Sequence, residues 1–161
     1  MPFKKILVIH DGSEQSDRAL EKAIELGMLA LDRTEVILLR IIPKIPIPTK
    51  FAGPVRSPKN DQIITLTEYV IEINEVMQAD ALEMLNRKKD KNKSPRVGIR
   101  TKVIIGSPSN SILEFAEIEK VDLIVVGSVR IGNRIARLIR MIGSVSRSVS
   151  ERAHCPVMII H

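Results

Sequence analysis

A chain of 161 residues suits one domain and is long enough to bury a sizeable core; 44% of it is hydrophobic and 27% charged, a globular balance, while aromatics at 2% mean an aliphatic core and argue against base-stacking platforms for single-stranded nucleic acid. The 25 Lys and Arg outnumber the 19 Asp and Glu, and the resulting net charge of +6 favours anionic ligands, of which nucleic acid is only one. The single Cys155 cannot form an internal disulfide, no apolar run reaches the roughly 18 residues of a membrane span, and the charged start MPFKKILVIHDGSE has no small-residue cleavage site, so a soluble cytoplasmic protein is expected.

Residues 5 to 10, ending in ILVIH, form a short apolar run of the kind found in strands buried on both faces, and Asp11, Gly12 and Ser13 end it. From Glu14, the positions Ala19, Leu20, Ala23, Ile24 and Gly27 follow helical spacing. EVILLRII, residues 35 to 42, reads as a second strand. Residues 43 to 61 carry five prolines (43, 46, 48, 54 and 58), and this composition predicts an exposed loop with no regular structure, lying near the sheet edge where a lid would sit. A long helical pattern runs from about Asp61 to Asn92; its RKKDKNK end reads most simply as a solvated helix terminus. VGIRTKVIIGSP alternates as a strand, and SNSILEFAEIEK is a helix opened by Pro108 and Ser109. VDLIVVG, residues 121 to 127, is a further strand, a basic helical segment follows, and PVMII at 156 to 160 is the last strand.

This alternation predicts a single α/β domain over residues 1–161, with a mainly parallel, five-stranded twisted sheet and helices on both faces. Ligands in such sheets bind beyond the carboxyl ends of strands, where the strand order reverses. Attention therefore falls on the turn His10, Asp11, Gly12, Ser13 and on Gly127 and Ser128. Familiar alternatives are missing. Gly127 and Gly132 have Walker A glycine spacing but are followed by Asn133 and Arg134, so the lysine and the metal-binding hydroxyl are absent. No GxGxxG follows the first strand, and there is no GxSxG elbow. His10, His154 and His161 lack the clustering that metal ligation requires, and His10 at a strand end reads as a packed or half-exposed residue rather than a catalytic base.

The stretch GSVRIGNRIARLIRMIGSVS, residues 127 to 146, has different parts. On a helical wheel Ile135, Leu138, Ile139 and Ile142 share one side and Arg134, Arg137 and Arg140 the other, which is most simply a solvated basic face. Gly143 and Ser144 stand where a new helical period begins, Val145, Val149, Ala153. Unpaired amides at a helix start suit a phosphate, and the hydroxyls of Ser144 and Ser146 add donors; plain helix capping by serine is the alternative.

KKILVIHDGSEQS, IIGSPSNSILEFAEIEKVDLIVVGS and GSVSRSVSERAHCPVMII together resemble the universal stress protein family over nearly the whole chain. The resemblance implies the nucleotide-binding α/β fold of the adenine nucleotide alpha-hydrolase type. In many members ATP is held by a motif of Gly, two residues, Gly, nine residues, Gly, then Ser or Thr. Here fifteen residues separate Gly127 from Gly143, three more than that pattern, and the central glycine falls on Arg130 counting forward or Asn133 counting back, with Gly132 adjacent. Asn tolerates left-handed backbone, so the turn can still form, and Arg130 can either hold a phosphate or fill its place.

By the same resemblance Asp11 meets the ribose hydroxyls and the backbone of Ile41 meets adenine. Ile9 and His10 replace the usual Pro-Val in the pocket wall, and Arg40 stands where a His is common. Val126, Gly127, Ser128, Gly143, Ser144, Val145 and Ser146 line the phosphate side, with Arg130, Gly132 and Asn133 in the loop between. The implied function is a regulatory module in stress response that binds ATP or another adenine nucleotide, with or without Mg2+, between the first and fourth strands. The implied partner is a second copy, joined through Pro156 to Ile160. The alternative is a stress-related interaction protein whose cradle Arg130 and the longer loop have closed. No catalytic base or nucleophile is evident in these segments, so turnover is not expected.

Overall fold

The computed structural model describes residues 3–47, 50, 53–128 and 143–161. Arg130, Gly132, Asn133 and the Arg134, Arg137, Arg140 face lie outside the described residues.

The main sheet is built from β1 (Lys5–Ile9), β2 (Thr34–Ile42), β5 (Val97–Ile105), β6 (Leu123–Gly127) and β7 (Val157–Ile160), all paired in parallel in the order β5-β2-β1-β6-β7. Helices α1 (Glu14–Met28), α2 (Leu66–Lys91), α3 (Pro108–Glu119) and α4 (Ser144–Arg152) connect or flank them. Strand side chains alternate between faces, and the core divides accordingly. Ile6, Val8, Val36, Leu38, Leu123 and Val125 pack with Ala19, Leu20, Ala23 and Ile24 of α1 and Leu85 of α2. Leu7, Ile37, Leu39, Ile41, Ile124 and Val126 pack with Ile112 and Ala116 of α3 and Val149 of α4. Both faces being covered explains why β1 is apolar without alternation. Each fully buried Leu or Ile contributes roughly 1.5–3 kcal/mol, so the central strands carry much of the stability.

The helix starts follow local chemistry. Ser13 caps α1, its hydroxyl accepting from the Ser16 amide at 3.2 Å. Thr65 and Glu68 form a reciprocal capping box at the start of α2, and Lys88, Lys89 and Lys91 complement the helix dipole at its end. The proline-rich segment departs from expectation. Val55–Arg56 (β3) pairs antiparallel with Ile63–Ile64 (β4), so residues 43 to 61 are not wholly irregular and α2 starts at Leu66, later than Asp61. The prolines bracket the short strand instead of interrupting it: Pro54 precedes it, Pro58 follows Ser57, and the Ser57 amide remains free to donate to the Gln62 carbonyl at 2.7 Å. Ser57 is buried, and its hydroxyl donates to Glu72 of α2, while Lys59 pairs with Glu75; these contacts dock the hairpin on α2.

Candidate functional site

The chain leaves β1 for β2 on one side and returns to β6 on the other, so the carboxyl ends of β1 and β6 form the switch point of the sheet. A cleft of about 180 Å³ opens there. Its floor is apolar, with the half-buried Ile9 beside the buried Ile41, Ile112 and Val126. His10, Asp11, Ser13 and Ser16 line it from the β1–α1 turn, Arg40 from the end of β2, and Gly127, Val145 and Ser146 from the β6 and α4 side.

The turn is built around two hydrogen-bonded side chains. Asp11 Oδ1 accepts from the Ser13 amide at 2.9 Å and from the Ser16 hydroxyl at 2.6 Å, an arrangement short polar side chains favour in turns. Burial alone would push the Asp11 carboxyl up, but these hydrogen bonds and the nearby Arg40 charge outweigh it and hold the group down at about 2. Asp11 is therefore an anion at any ordinary pH, and Oδ2 has no hydrogen-bond partner among the described residues. Gly12 adopts φ +89°, a left-handed conformation, although open space surrounds the position a Cβ would take.

His10 is fully buried. Its Nδ1 accepts from the Gly12 amide at 3.1 Å, which leaves the ring proton on Nε2 to donate to Asp17 Oδ1 at 3.0 Å. Lys88 of α2 closes the chain, its ammonium lying 2.6 and 2.8 Å from the two Asp17 oxygens. Burial is the main cause that lowers the basicity of His10, and the opposing pull of Asp17 does not restore it.

On the opposite wall, Gly143 caps α4 without a side-chain hydrogen bond. The amides of Ser144, Val145 and Ser146 donate to no carbonyl among the described residues; the first helical bond runs from Arg147 to the Gly143 carbonyl at 2.9 Å. Two other expected donors are engaged within the protein. The Ser128 amide donates to the Ile160 carbonyl at 2.7 Å, extending the β6–β7 ladder, and the buried Ser146 hydroxyl reaches the Gly127 carbonyl at 3.4 Å. Gly127 is required by packing: a Cβ there would stand 2.8 Å from the backbone carbon of Gln15, so the missing side chain lets α1 press against the end of β6.

Of the residues expected from sequence, the cleft brings together Ile9, His10, Asp11, Ile41, Val126, Gly127, Val145 and Ser146. Ser128, Gly143 and Ser144 lie outside its lining, and Arg130, Gly132 and Asn133 outside the described residues. The turn singled out from sequence includes Ser13, which lines the cleft, whereas sequence reasoning does not assign Ser16, Pro108 or Ile112 to the site. The two serines stand two and five residues after Asp11, a spacing that a serine-rich cap around an acidic turn makes readable; Ile112 looks like any core residue of a helix. Among the described residues, no group of three or more His, Cys, Asp or Glu is placed to hold a metal ion, and no helix is long and apolar enough to cross a membrane.

An open, doubly wound parallel sheet with its crevice at the switch point defines a class of ligand-binding α/β proteins. Within it the chain belongs to the universal stress protein family, which it matches over residues 2–161. It is 31% identical over 159 residues to universal stress protein YxiE of Bacillus subtilis (strain 168), covering 98% of this chain and 99% of that protein. Among solved structures it resembles universal stress protein UspA from Lactobacillus plantarum, with a TM-score of 0.75, 20% identity, and coverage of 100% of this chain and 99% of the other. A universal stress protein in complex with cAMP gives a TM-score of 0.61 at 23% identity, covering 100% of this chain and 98% of the other. The universal stress protein from Archaeoglobus fulgidus in complex with dAMP gives 0.54 at 21%, with full coverage of both chains.

Proposed function

We propose that this chain is a regulatory module that binds an adenine nucleotide in the cleft between β1 and β6. The observation that carries this reading is the pairing of opposites across one apolar floor: an ionised Asp11 on one side and the first-turn amides of α4 on the other, with one Asp11 oxygen and those amides meeting no partner among the described residues. A carboxylate accepts from ribose hydroxyls, and helix-start amides donate to phosphate. The related structures solved with cAMP and dAMP support the same class of ligand. A cleft of about 180 Å³ is below the roughly 300 Å³ at which small-molecule pockets begin, so it does not enclose a whole nucleotide, and the phosphates extend past its rim, beside α4. ATP, ADP and AMP then share one anchorage, and Mg2+ enters with the phosphates rather than on a site of its own.

The protein acts in the cytoplasm as a homodimer through β7, an edge strand that among the described residues pairs only with β6. Sedimentation of the wild type as a monomer at micromolar concentration would remove that part of the proposal. The competing reading, a protein-interaction module with a closed cradle, draws support from the engagement of the Ser128 amide and the Ser146 hydroxyl within the protein.

Isothermal titration with ATP, ADP and AMP, with and without Mg2+, separates the two. Heat that saturates at or below millimolar nucleotide is expected, and its absence would favour the closed cradle. A Gly143→Arg substitution should abolish the signal by filling the approach to the α4 amides; binding that survives it would show the phosphates to lie elsewhere.

A further inference from the structure

We infer that His10 is a positioning residue of this site: through Gly12 it fixes the turn that presents Asp11, and it is itself fixed by Asp17 of α1 and Lys88 of α2. This rests on the proposed nucleotide reading, and it gives a residue of the cleft wall a role that never needs its ring to touch the ligand. The geometry is a continuous relay. Lys88 neutralises Asp17, Asp17 accepts from His10 Nε2, and Nδ1 accepts the Gly12 amide, each link between 2.6 and 3.1 Å. Gly12 is the one left-handed glycine of the turn and lies directly after Asp11, so the bond from its amide sets the direction in which the Asp11 carboxylate leaves the backbone.

The relay has a polarity. Only the Nε2–H tautomer satisfies both neighbours, because a proton on Nδ1 would face the Gly12 N–H. Protonation of the ring therefore turns an acceptor into a donor at Gly12 and should loosen the turn. The charged groups that face the ring among the described residues are Asp17, Lys88 and Asp11. Asp17 and Asp11 favour the imidazolium, whereas Lys88 and, above all, burial oppose it. Asp11 titrates near 2, well below the ordinary histidine range, so a loss of ligand affinity in mild acid would come from His10 and not from Asp11. Acid loss of affinity is thus a signature of the relay.

The test uses the full chain, with ring-nitrogen and amide NMR on the free protein and titration of cAMP as the probe, because its phosphodiester does not change charge in mild acid. In the free wild type the ring should be the Nε2–H tautomer, and the Gly12 amide should show hydrogen-bonded shifts that collapse as His10 protonates. An Nδ1–H ring, or a Gly12 amide indifferent to His10 protonation, overturns the relay whether or not nucleotide binds.

For binding, His10→Val should weaken cAMP about tenfold, the loss expected for one displaced charge-assisted hydrogen bond. His10→Asn, whose side-chain oxygen can replace Nδ1 as acceptor, should recover most of that loss. Equal affinity in the wild type and His10→Val overturns the positioning role. Lys88→Met should move the acid loss of affinity to higher pH, since Lys88 opposes the imidazolium; a shift to lower pH, or none, also overturns it. A wild type with intact relay signals and no affinity for any adenine nucleotide would sink the functional reading and, with it, the positioning role, while leaving the tautomer assignment in place.

Discussion

The two ends of the sheet use charge in opposite ways. In the amino-terminal half, Arg100 of β5 donates to Glu119 of α3 at 2.8 and 3.2 Å and to Glu35 of β2 at 3.1 Å, while Lys5 of β1 reaches Glu119 at 3.2 Å. Asp122 accepts from the amides of Lys4 and Lys5 at 2.9 and 2.8 Å. Glu35, Glu119 and Asp122 each face a donor from another segment, and the cluster closes on itself. At the carboxyl end, among the described residues, Asp11 engages only one oxygen, Arg40 makes no ion pair, and the first-turn amides of α4 meet no carbonyl. A closed network holds strands in register, whereas an open one retains capacity for an outside partner. The lesson is that unfilled hydrogen-bonding capacity, more than charge itself, marks the binding end.

The sharpest way to break this contrast is at Asp11. Asp11→Ala removes the open acceptor, and nucleotide affinity measured by calorimetry should fall by about 10- to 100-fold; the melting temperature should fall as well, because the bonds from the Ser13 amide and the Ser16 hydroxyl go with the carboxylate. At Gly127 the ordering reverses. Gly127→Ala drives a Cβ to within 2.8 Å of the Gln15 backbone, and denaturant unfolding should show a loss of about 1–3 kcal/mol from overpacking.

Acid should act in two stages, followed by thermal unfolding across pH. His10 has a folded-state value below its ordinary 6.5, so the unfolded chain takes up protons first, and stability declines as pH drops below 6.5. Asp11, held at about 2 against an ordinary 3.8, adds stability that is complete above 3.8 and is lost as pH falls toward 2. A profile flat from neutrality down to 3.8 would contradict the buried neutral histidine. The smallest effect is expected at the closed end. Arg100→Gln disrupts ion pairs whose side chains are 40% and 23% exposed, so solvent screening limits the cost to about 1 kcal/mol or less, and nucleotide affinity should not move.

How much of this was legible in the sequence follows from the range of the interactions involved. The buried run ILVIH, the α1 stripe Ala19, Leu20, Ala23, Ile24, Gly27 and the helix start at Gly143 and Ser144 are written locally, and each stands where the periodicity places it. The β3–β4 hairpin is hidden because its ladder is two residues per strand, too short for alternation to register, and because its docking depends on Glu72 and Glu75 of α2. His10 illustrates the same limit within the site. As a lone histidine at a strand end it reads as packed or half-exposed, and it is indeed buried, but its partners lie seven and seventy-eight positions away in Asp17 and Lys88. The sequence places it in the turn, and only the three-dimensional arrangement shows what holds it there. The Gly127 and Ser128 pair reads from sequence as one edge of a phosphate cradle; its geometry gives Gly127 to helix packing and the Ser128 amide to the sheet, commitments that depend on Gln15 and Ile160.

Gly12 carries a consequence of a different sort. With φ at +89° and nothing within 4 Å of where a Cβ would stand, the position selects its occupant by handedness and not by size. An L-alanine there is strained by its backbone in empty space, whereas a D-residue adopts positive φ as its ordinary conformation. Chemical synthesis with D-alanine at position 12 should therefore raise stability by about 0.4–1 kcal/mol, by narrowing the conformations open to the unfolded chain. The chirality of a single α-carbon would then tune the rigidity of the turn that carries Asp11.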